Sequence, residues 1–245
     1  MAGHSHSANI RFRKDRQDAK RGKVFAKLSK AITLAARQRG GDIGANSTLR
    51  LAVDKARAEN MPKDNIERAI RIGTGEGVDA QNLYALIYEG YAAGGVAVMV
   101  EVLTDNRNRT ASELRNIFEK SGQLGSAGCV SYLFEKKGLI LIQDKGVNEE
   151  ELMELVLETG ADDISSTDGM FEILTSPQIY YAVLQAIEDK DIPVEHAEVA
   201  SIATNMIEVS ENDQRKVLKL LEMLDDNDDV ANIYHNCELS AEVMR

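Results

Sequence analysis

Two cysteines, Cys129 and Cys237, are all that the 245 residues contain. With no CxxC and no Cys/His spacing that suits zinc, they exclude a disulfide framework and a structural zinc site, and both read as buried bystanders. Long apolar runs are equally scarce. The longest, VAVMV at 96–100 and LILI at 139–142, fall far short of the ~20 residues a membrane-spanning helix needs. Residues 1–25 hold no apolar stretch of the kind that directs export. A soluble, cytoplasmic protein without a membrane partner is the expectation.

Signatures of common catalytic machinery are missing too. There is no GxSxG elbow, no HExxH, and no GxxxxGK followed by Ser or Thr, and no pair of carboxylates stands out as an acid and base couple. The glycines of GTGEGVD at 73–79 follow a helical pattern instead of a strand, so they mark a linker and not a dinucleotide loop. His4 and His6 offer two ligands where a metal site needs three or four, and His196 and His235 are remote in sequence. DDNDD at 225–229 opens like a calcium loop, but Val230 stands where Gly is needed and Asn236 where the bidentate Glu belongs. It reads as an acidic helix-to-strand connection. The chain is therefore expected to be no enzyme, with no metal, no cofactor and no small-molecule substrate.

What the sequence does have is charge of both signs, unevenly placed. Residues 1–75 carry 17 Lys and Arg against 7 Asp and Glu, a net of +10, whereas residues 76–245 carry 12 against 33, a net of −21. A basic module on an acidic body orients itself on a polyanion, since one part attracts what the other repels.

The basic module reads as helical. From Asp18 to Arg39, Val24, Leu28, Ala31, Ile32 and Ala35 recur at helical spacing, and Lys20, Lys23, Lys27, Lys30 and Arg37 fall on a separate arc. Gly40 and Gly41 stop this helix. A second helix follows Asn46 or Ser47 as N-cap and buries Leu49, Ala52, Val53 and Ala56. A third has Pro62 in its first turn, ends before Gly73, and turns Ile66, Ala69 and Ile70 inward. Three short amphipathic helices make a small bundle.

After the linker, strands alternate with helices. NLYALIYEGY and VAVMVEVLT flank the turn AAGG as a hairpin. Thr110 and Glu113 form a capping box for a helix burying Leu114, Ile117 and Phe118. VSYLFEKKGLILIQ reads as two strands or one bent strand, and NEEELMELVLETG as a helix burying Leu152, Leu155 and Val156. Asp168 and Gly169 turn a hairpin between DDISST and MFEILT. Helices near 177–189 and 211–225 complete two further strand-helix-strand units. The pattern predicts an α+β protein: an N-terminal three-helix bundle followed by two ferredoxin-like α/β sandwich domains.

MAGHS, ANIRFRKDRQDAKRGKVFAKL, NMPKDNIERAI, YEGYAAGG, TDNRNRT and DDVANIYHN together resemble the YebC/PmpR family, and the resemblance spans essentially the whole chain. It implies three domains with the third inserted into the second: residues 1–77, then 78–130 with 205–245, interrupted by 131–204. It also implies a DNA-binding transcriptional regulator or, alternatively, a translation factor associated with the ribosome. Many members carry Trp after GHSK or GHSH, where this chain has Ser7 and no tryptophan at all. Where that Trp stacks on a base, a contact of about 1–3 kcal/mol is missing here, with Phe12 the candidate to substitute.

The expected partner is DNA or ribosomal RNA. Arg11, Arg13, Lys14, Arg16, Lys20, Arg21 and Lys23 are the primary phosphate contacts, extended along the helix by Lys27 and Lys30. Arg107 and Arg109 lie directly before a capped helix, where free backbone N–H groups suit an anion. They are equally placed to pair with surrounding carboxylates and brace the domain junction. No helix of the bundle shows a helix-turn-helix dipeptide pattern, which favours contact with the backbone over base readout.

Overall fold

In the computed structural model the described residues are 21–75, 83–167, 169–240 and 243; for Arg21, Gly22 and Thr167 only the backbone is described. Helix α1 (Arg21–Arg39) places Leu28, Ile32, Ala35 and Ala36 on one buried face, the i, i+4, i+7, i+8 spacing of an amphipathic helix. It ends where Gly40, at φ +87°, donates its N–H to the Ala36 carbonyl at 2.8 Å. The expected start at Asp18 lies outside the described residues.

Helix α2 (Ser47–Ala58) is capped by Asn46, whose side-chain oxygen accepts the Leu49 N–H at 3.0 Å. The Asn46 amide donates to the carbonyls of Ala35 and Gly40, at 2.9 and 2.8 Å. One fully buried polar side chain thus ties the end of α1 to the start of α2 with its groups satisfied. Helix α3 (Lys63–Gly73) follows Pro62 and packs Ile66 and Ala69 into the same core as Leu49, Val53 and Ala56. The contact is close: a Cβ on Gly73 would stand 2.5 Å from the Thr33 carbonyl oxygen and 2.6 Å from the Ala36 Cβ.

Strands β1 (Tyr84–Ala92) and β2 (Ala97–Thr104) pair antiparallel across Ala93–Gly95. Gly94 and Gly95 sit at φ +72° and +78°, a turn that the expected AAGG supplies because glycine takes positive φ without steric cost. Helix α4 (Arg107–Phe118) and the short β3 (Gly122–Leu124) follow, and β3 pairs with β1. The chain returns much later with α7 (Glu211–Asp225) and β8 (Val230–His235), and β8 pairs with β2 to give the order β3-β1-β2-β8. Phe118 of α4 is fully buried beside Gly90, where a Cβ would meet its ring at 2.7 Å.

Helix α4 does not begin at the expected capping box. Asn106 is the cap and accepts the Arg109 N–H at 3.1 Å. Thr110 lies one turn inside the helix, fully buried, because its hydroxyl is drawn inward to a carboxylate described below. Ile117 is only half-buried, as is Leu155 further on.

Between these parts the chain builds β4 (Phe134–Gln143), α5 (Glu149–Thr159), β5 (Asp163–Thr167), β6 (Met170–Thr175), α6 (Tyr180–Glu188) and β7 (Val194–Ala203). The sheet order β5-β6-β4-β7, antiparallel throughout, is the ferredoxin-like βαββαβ arrangement. Gly169 makes the β5–β6 turn at φ +76°, while its expected partner Asp168 lies outside the described residues. The other sheet shares the layering of helices on an antiparallel sheet, but its connectivity opens with a hairpin. The α+β class read from the sequence is the one observed. By their contacts the described residues divide into two compact units, those of 133–207 being one, and those of 21–132 together with those from Glu208 onward the other.

Candidate nucleic-acid interface

The cationic arc of α1 carries Lys23, Lys27 and Lys30, three positions on one helix face. They meet the C-terminal end of α7 and the acidic turn after it, within the same unit. The last carbonyls of a helix have no intrahelical donor and sit at the negative end of its dipole, so ammonium groups are well placed there. Lys27 Nζ donates to the Asp225 carbonyl at 2.7 Å, Lys23 to that of Asp226 at 3.0 Å, and Lys30 to that of Asp228 at 3.0 Å. Side-chain ion pairs add to this, Lys23 with Asp228 and Lys27 with Asp225, both at 3.6 Å. Burial pushes the Lys27 ammonium below its ordinary pKa, against the pull of Asp225.

Asp229 is the centre of this arrangement. Its side chain is 5% exposed, and it gathers groups from three separate elements. Lys30 of α1 donates to Oδ1 at 2.8 Å, and Arg109 of α4 donates to Oδ2 at 2.7 Å. The hydroxyls of Thr104, at the end of β2, and Thr110, in α4, lie 3.0 and 2.8 Å from Oδ2. Burial alone would raise the carboxyl pKa. The hydrogen bonds from Lys30, Arg109 and Thr110 outweigh it and hold Asp229 well below the usual carboxylate range. Asn227 completes the turn, accepting the Asp229 N–H at 2.9 Å and donating to Glu113 at 2.8 Å.

Arg109 also meets Asp105 at 2.9 Å and Glu113 at 3.9 Å. Its guanidinium lies among three carboxylates, Asp229 above all, which raises its pKa. Arg107 is exposed and stacks over the Tyr84 ring at 4.7 Å from the centroid. Of the two roles open to the TDNRNRT arginines, the geometry of Arg109 is that of a brace.

Among the other candidates, Arg11, Arg13, Lys14, Arg16 and Lys20 lie outside the described residues, and only the backbone of Arg21 is described. Four residues that the sequence alone did not single out also belong to the brace. Asp229 was hidden in an acidic run whose partners are far away in sequence, and Lys55 of α2 donates to Asn232 of β8 at 2.9 Å. Asn232 in turn donates to Glu101 of β2 at 2.7 Å.

In β1 of the same sheet stands a second buried carboxylate. Glu89 accepts backbone N–H groups from Gly128, Val130 and Ser131 at 2.7–2.8 Å. Burial raises its pKa and those three donors more than reverse the effect. Glu89 thereby folds the 125–131 loop around itself. Cys129, in that loop, and the fully buried Cys237 are both free; burial pushes the Cys237 thiol up to about 11, so neither is an activated nucleophile. His4 and His6 lie outside the described residues. Among the described residues no helix is long and apolar enough to cross a membrane.

Fold and site together define a class: a small basic helical head, clamped by its lysines to the acidic turn of an α/β body, whose sheet is interrupted in sequence by a ferredoxin-like unit. The chain belongs to the TACO1/YebC family. The family's N-terminal domain model matches residues 5–76, and the model of its second and third domains matches residues 83–237. A probable transcriptional regulatory protein of Geobacter sulfurreducens is 51% identical over all of this chain and 98% of its own. One of the same description from Rubrobacter xylanophilus is 50% identical, with the same coverage. The crystal structure of a conserved hypothetical protein, Aq1575 from Aquifex aeolicus, superposes with a TM-score of 0.81 at 43% identity, over 93% of this chain and 94% of the other.

Proposed function

We propose that this protein is a non-enzymatic nucleic-acid-binding regulator of gene expression, acting first on transcription. The observation that carries the reading is the surplus of positive charge ahead of the brace. Lys23, Lys27 and Lys30 answer the carboxylates and carbonyls of residues 225–229, whereas Arg11, Arg13, Lys14, Arg16, Lys20 and Arg21 precede that contact in a head of net charge +10. These six residues are the proposed phosphate contacts, with arginine able to chelate phosphate oxygens through two parallel hydrogen bonds. The names of the relatives support transcription as the process.

One observation favours a ribosome-associated role as second reading. The cationic face of α1 is turned to the protein's own acidic turn, and a helix held that way is not presented to a DNA groove. Contacts confined to the phosphate backbone suit irregular RNA as well as duplex DNA.

The test is the fourfold variant Arg11→Ala, Arg13→Ala, Lys14→Ala, Arg16→Ala. Binding to DNA and RNA should weaken together, and the slope of log affinity against log salt should flatten by ~0.9 per lost contact on duplex DNA, with thermal melting unchanged. Unaltered affinity rejects the proposed surface. Sedimentation of lysate with and without DNase separates the processes: migration with ribosomes that survives DNase favours translation, and its absence together with a promoter footprint favours transcription.

A further inference from the structure

Of the clamping lysines on α1, Lys27 is the most deeply set. Its side chain is 15% exposed, against 29% for Lys30 and 48% for Lys23. It borders a pocket of about 40 Å³ framed by α1, α2, the end of α7 and β8, all parts of one compact unit. Val24, Leu28 and Ala231 make the walls apolar, and Lys23 and Lys55 stand around it with the carboxylates of Glu59 and Asp225. A cavity of that size has room for about three waters, and an acetyl group brings as many heavy atoms. A lysine becomes nucleophilic when it is desolvated among apolar groups or set beside another cation. Both conditions hold here. Burial pushes the Lys27 ammonium below its ordinary pKa against the pull of Asp225 and Asp228, and the Lys23 charge acts in the same direction as burial. In its neutral form the amine has two N–H donors and one lone pair. The donors have the Asp225 carbonyl at 2.7 Å and the Asp225 carboxylate at 3.6 Å, so the lone pair is left for the pocket.

We infer that Lys27 is a site of covalent acylation by small acyl phosphates, and that this modification loosens the head from the acidic turn it grips. The Nζ lone pair attacks the acyl carbonyl carbon. An N–C bond forms, the C–O bond to the phosphoryl oxygen breaks, and the phosphate departs with the electron pair. Of the two protons that the ammonium nitrogen gives up, one passes by way of Asp225 to water and the other leaves on the phosphate. Lys23 and Lys55 supply positive charge for the phosphate of the donor, and the exposure of Lys23 opens that side of the pocket to solvent. The product amide has a single N–H and no charge. It keeps a donor for the Asp225 carbonyl but loses the ion pair with Asp225 and the attraction to the negative end of the α7 dipole. Lys23 and Lys30 are then left to hold the turn.

Treatment of the native full chain with acetyl phosphate at mildly alkaline pH, followed over time by peptide mapping in a mass spectrometer, tests the inference. Lys63 serves as reference, since its side chain is 87% exposed. Lys27 should be acetylated severalfold faster than Lys63. The preference should vanish in denaturing urea and be lost with butyryl phosphate, whose chain is too long for the cavity. A native rate at Lys27 equal to or below that at Lys63 overturns the inference. So does a preference that survives in urea, which would belong to the local sequence and not to the pocket, and so does equal preference for the acetyl and butyryl donors. The acetylated chain should have a lower urea midpoint than the untreated one, while the Lys27→Arg chain, treated alike, should keep its own. An unchanged midpoint in the acetylated chain, or an equal drop in the Lys27→Arg chain, overturns the loosening of the head.

Discussion

Lys30 and Asp229, 199 positions apart in the chain, meet at 2.8 Å. One belongs to the basic head, and the other to the acidic turn before the final strand of the sheet. Arg109 takes the second carboxylate oxygen at 2.7 Å. A single buried aspartate therefore joins α1 of the head to α4 and to the end of β2.

Replacing Asp229 with Ala leaves a lysine, an arginine and two hydroxyls around an apolar methyl. The expected loss is about 3–5 kcal/mol, the usual range for removing one partner of a buried charged cluster, measured as a shift in urea midpoint. A loss below about 1 kcal/mol would show that water replaces the carboxylate without cost.

The sign of the acid dependence follows from the same residue. Asp229 has a depressed folded-state pKa, so its contribution is complete above the unfolded-state value of ~3.9. It drains away as pH falls below that value and toward the folded one, because there the unfolded chain binds a proton that the native chain does not. Asp229→Asn should flatten the decline of stability below about pH 4 relative to the native protein. Parallel pH profiles for the two proteins would count against the assigned shift.

Lys30→Ala separates the brace from the proposed nucleic-acid surface. Stability should fall by about 1.5–3 kcal/mol, the worth of hydrogen bonds to a charged group, while affinity for nucleic acid under folding conditions stays within about twofold. The fourfold variant at residues 11–16 should do the reverse. Equal affinity losses in both would merge the two surfaces into one.

Glu89→Gln keeps the shape but replaces one carboxylate oxygen with an amide that faces backbone N–H groups. The cost expected from leaving a buried donor without its acceptor is about 1–3 kcal/mol, accompanied by faster hydrogen exchange at Gly128, Val130 and Ser131. Unchanged exchange at those amides would mean that the 125–131 loop is held by something other than this side chain.

Gly73→Ala tests the closeness of α1 and α3. A methyl 2.5 Å from the Thr33 carbonyl forces the helices apart, and overpacking of this kind costs roughly 1–3 kcal/mol. A melting temperature at or above that of the native chain would show that the bundle absorbs the extra volume.

Much of the architecture could be read along the chain because it rests on local rules. Leu28, Ile32 and Ala35 announce a helix by spacing, Asn46 announces a start by its side chain, and Gly94–Gly95 announce a hairpin by the positive φ angles that glycine adopts without steric cost. The TDNRNRT segment was less legible. Both Asn106 and Thr110 can cap a helix, and the choice fell to Asn106 because Thr110 was claimed by Asp229, a residue 119 positions away. For the candidate site, the sign of the α1 arc was plain from its lysines, but not the identity of its counterion. A basic stripe looks the same in sequence whether it faces phosphate or the protein's own carbonyls.

By itself, then, the sequence determined the elements and their order, the division into a positive head and a negative body, and the family. Periodicity, caps and charge are properties of neighbouring residues, so one dimension suffices to state them. The tertiary structure alone decided that the returning chain pairs its last strand, β8, with β2, that Lys23, Lys27 and Lys30 serve the end of α7, and that Asp229 is a buried junction. Each of these depends on distance between residues remote in the chain, where a Coulomb attraction or a hydrogen bond acts only after packing has brought the partners within a few ångströms.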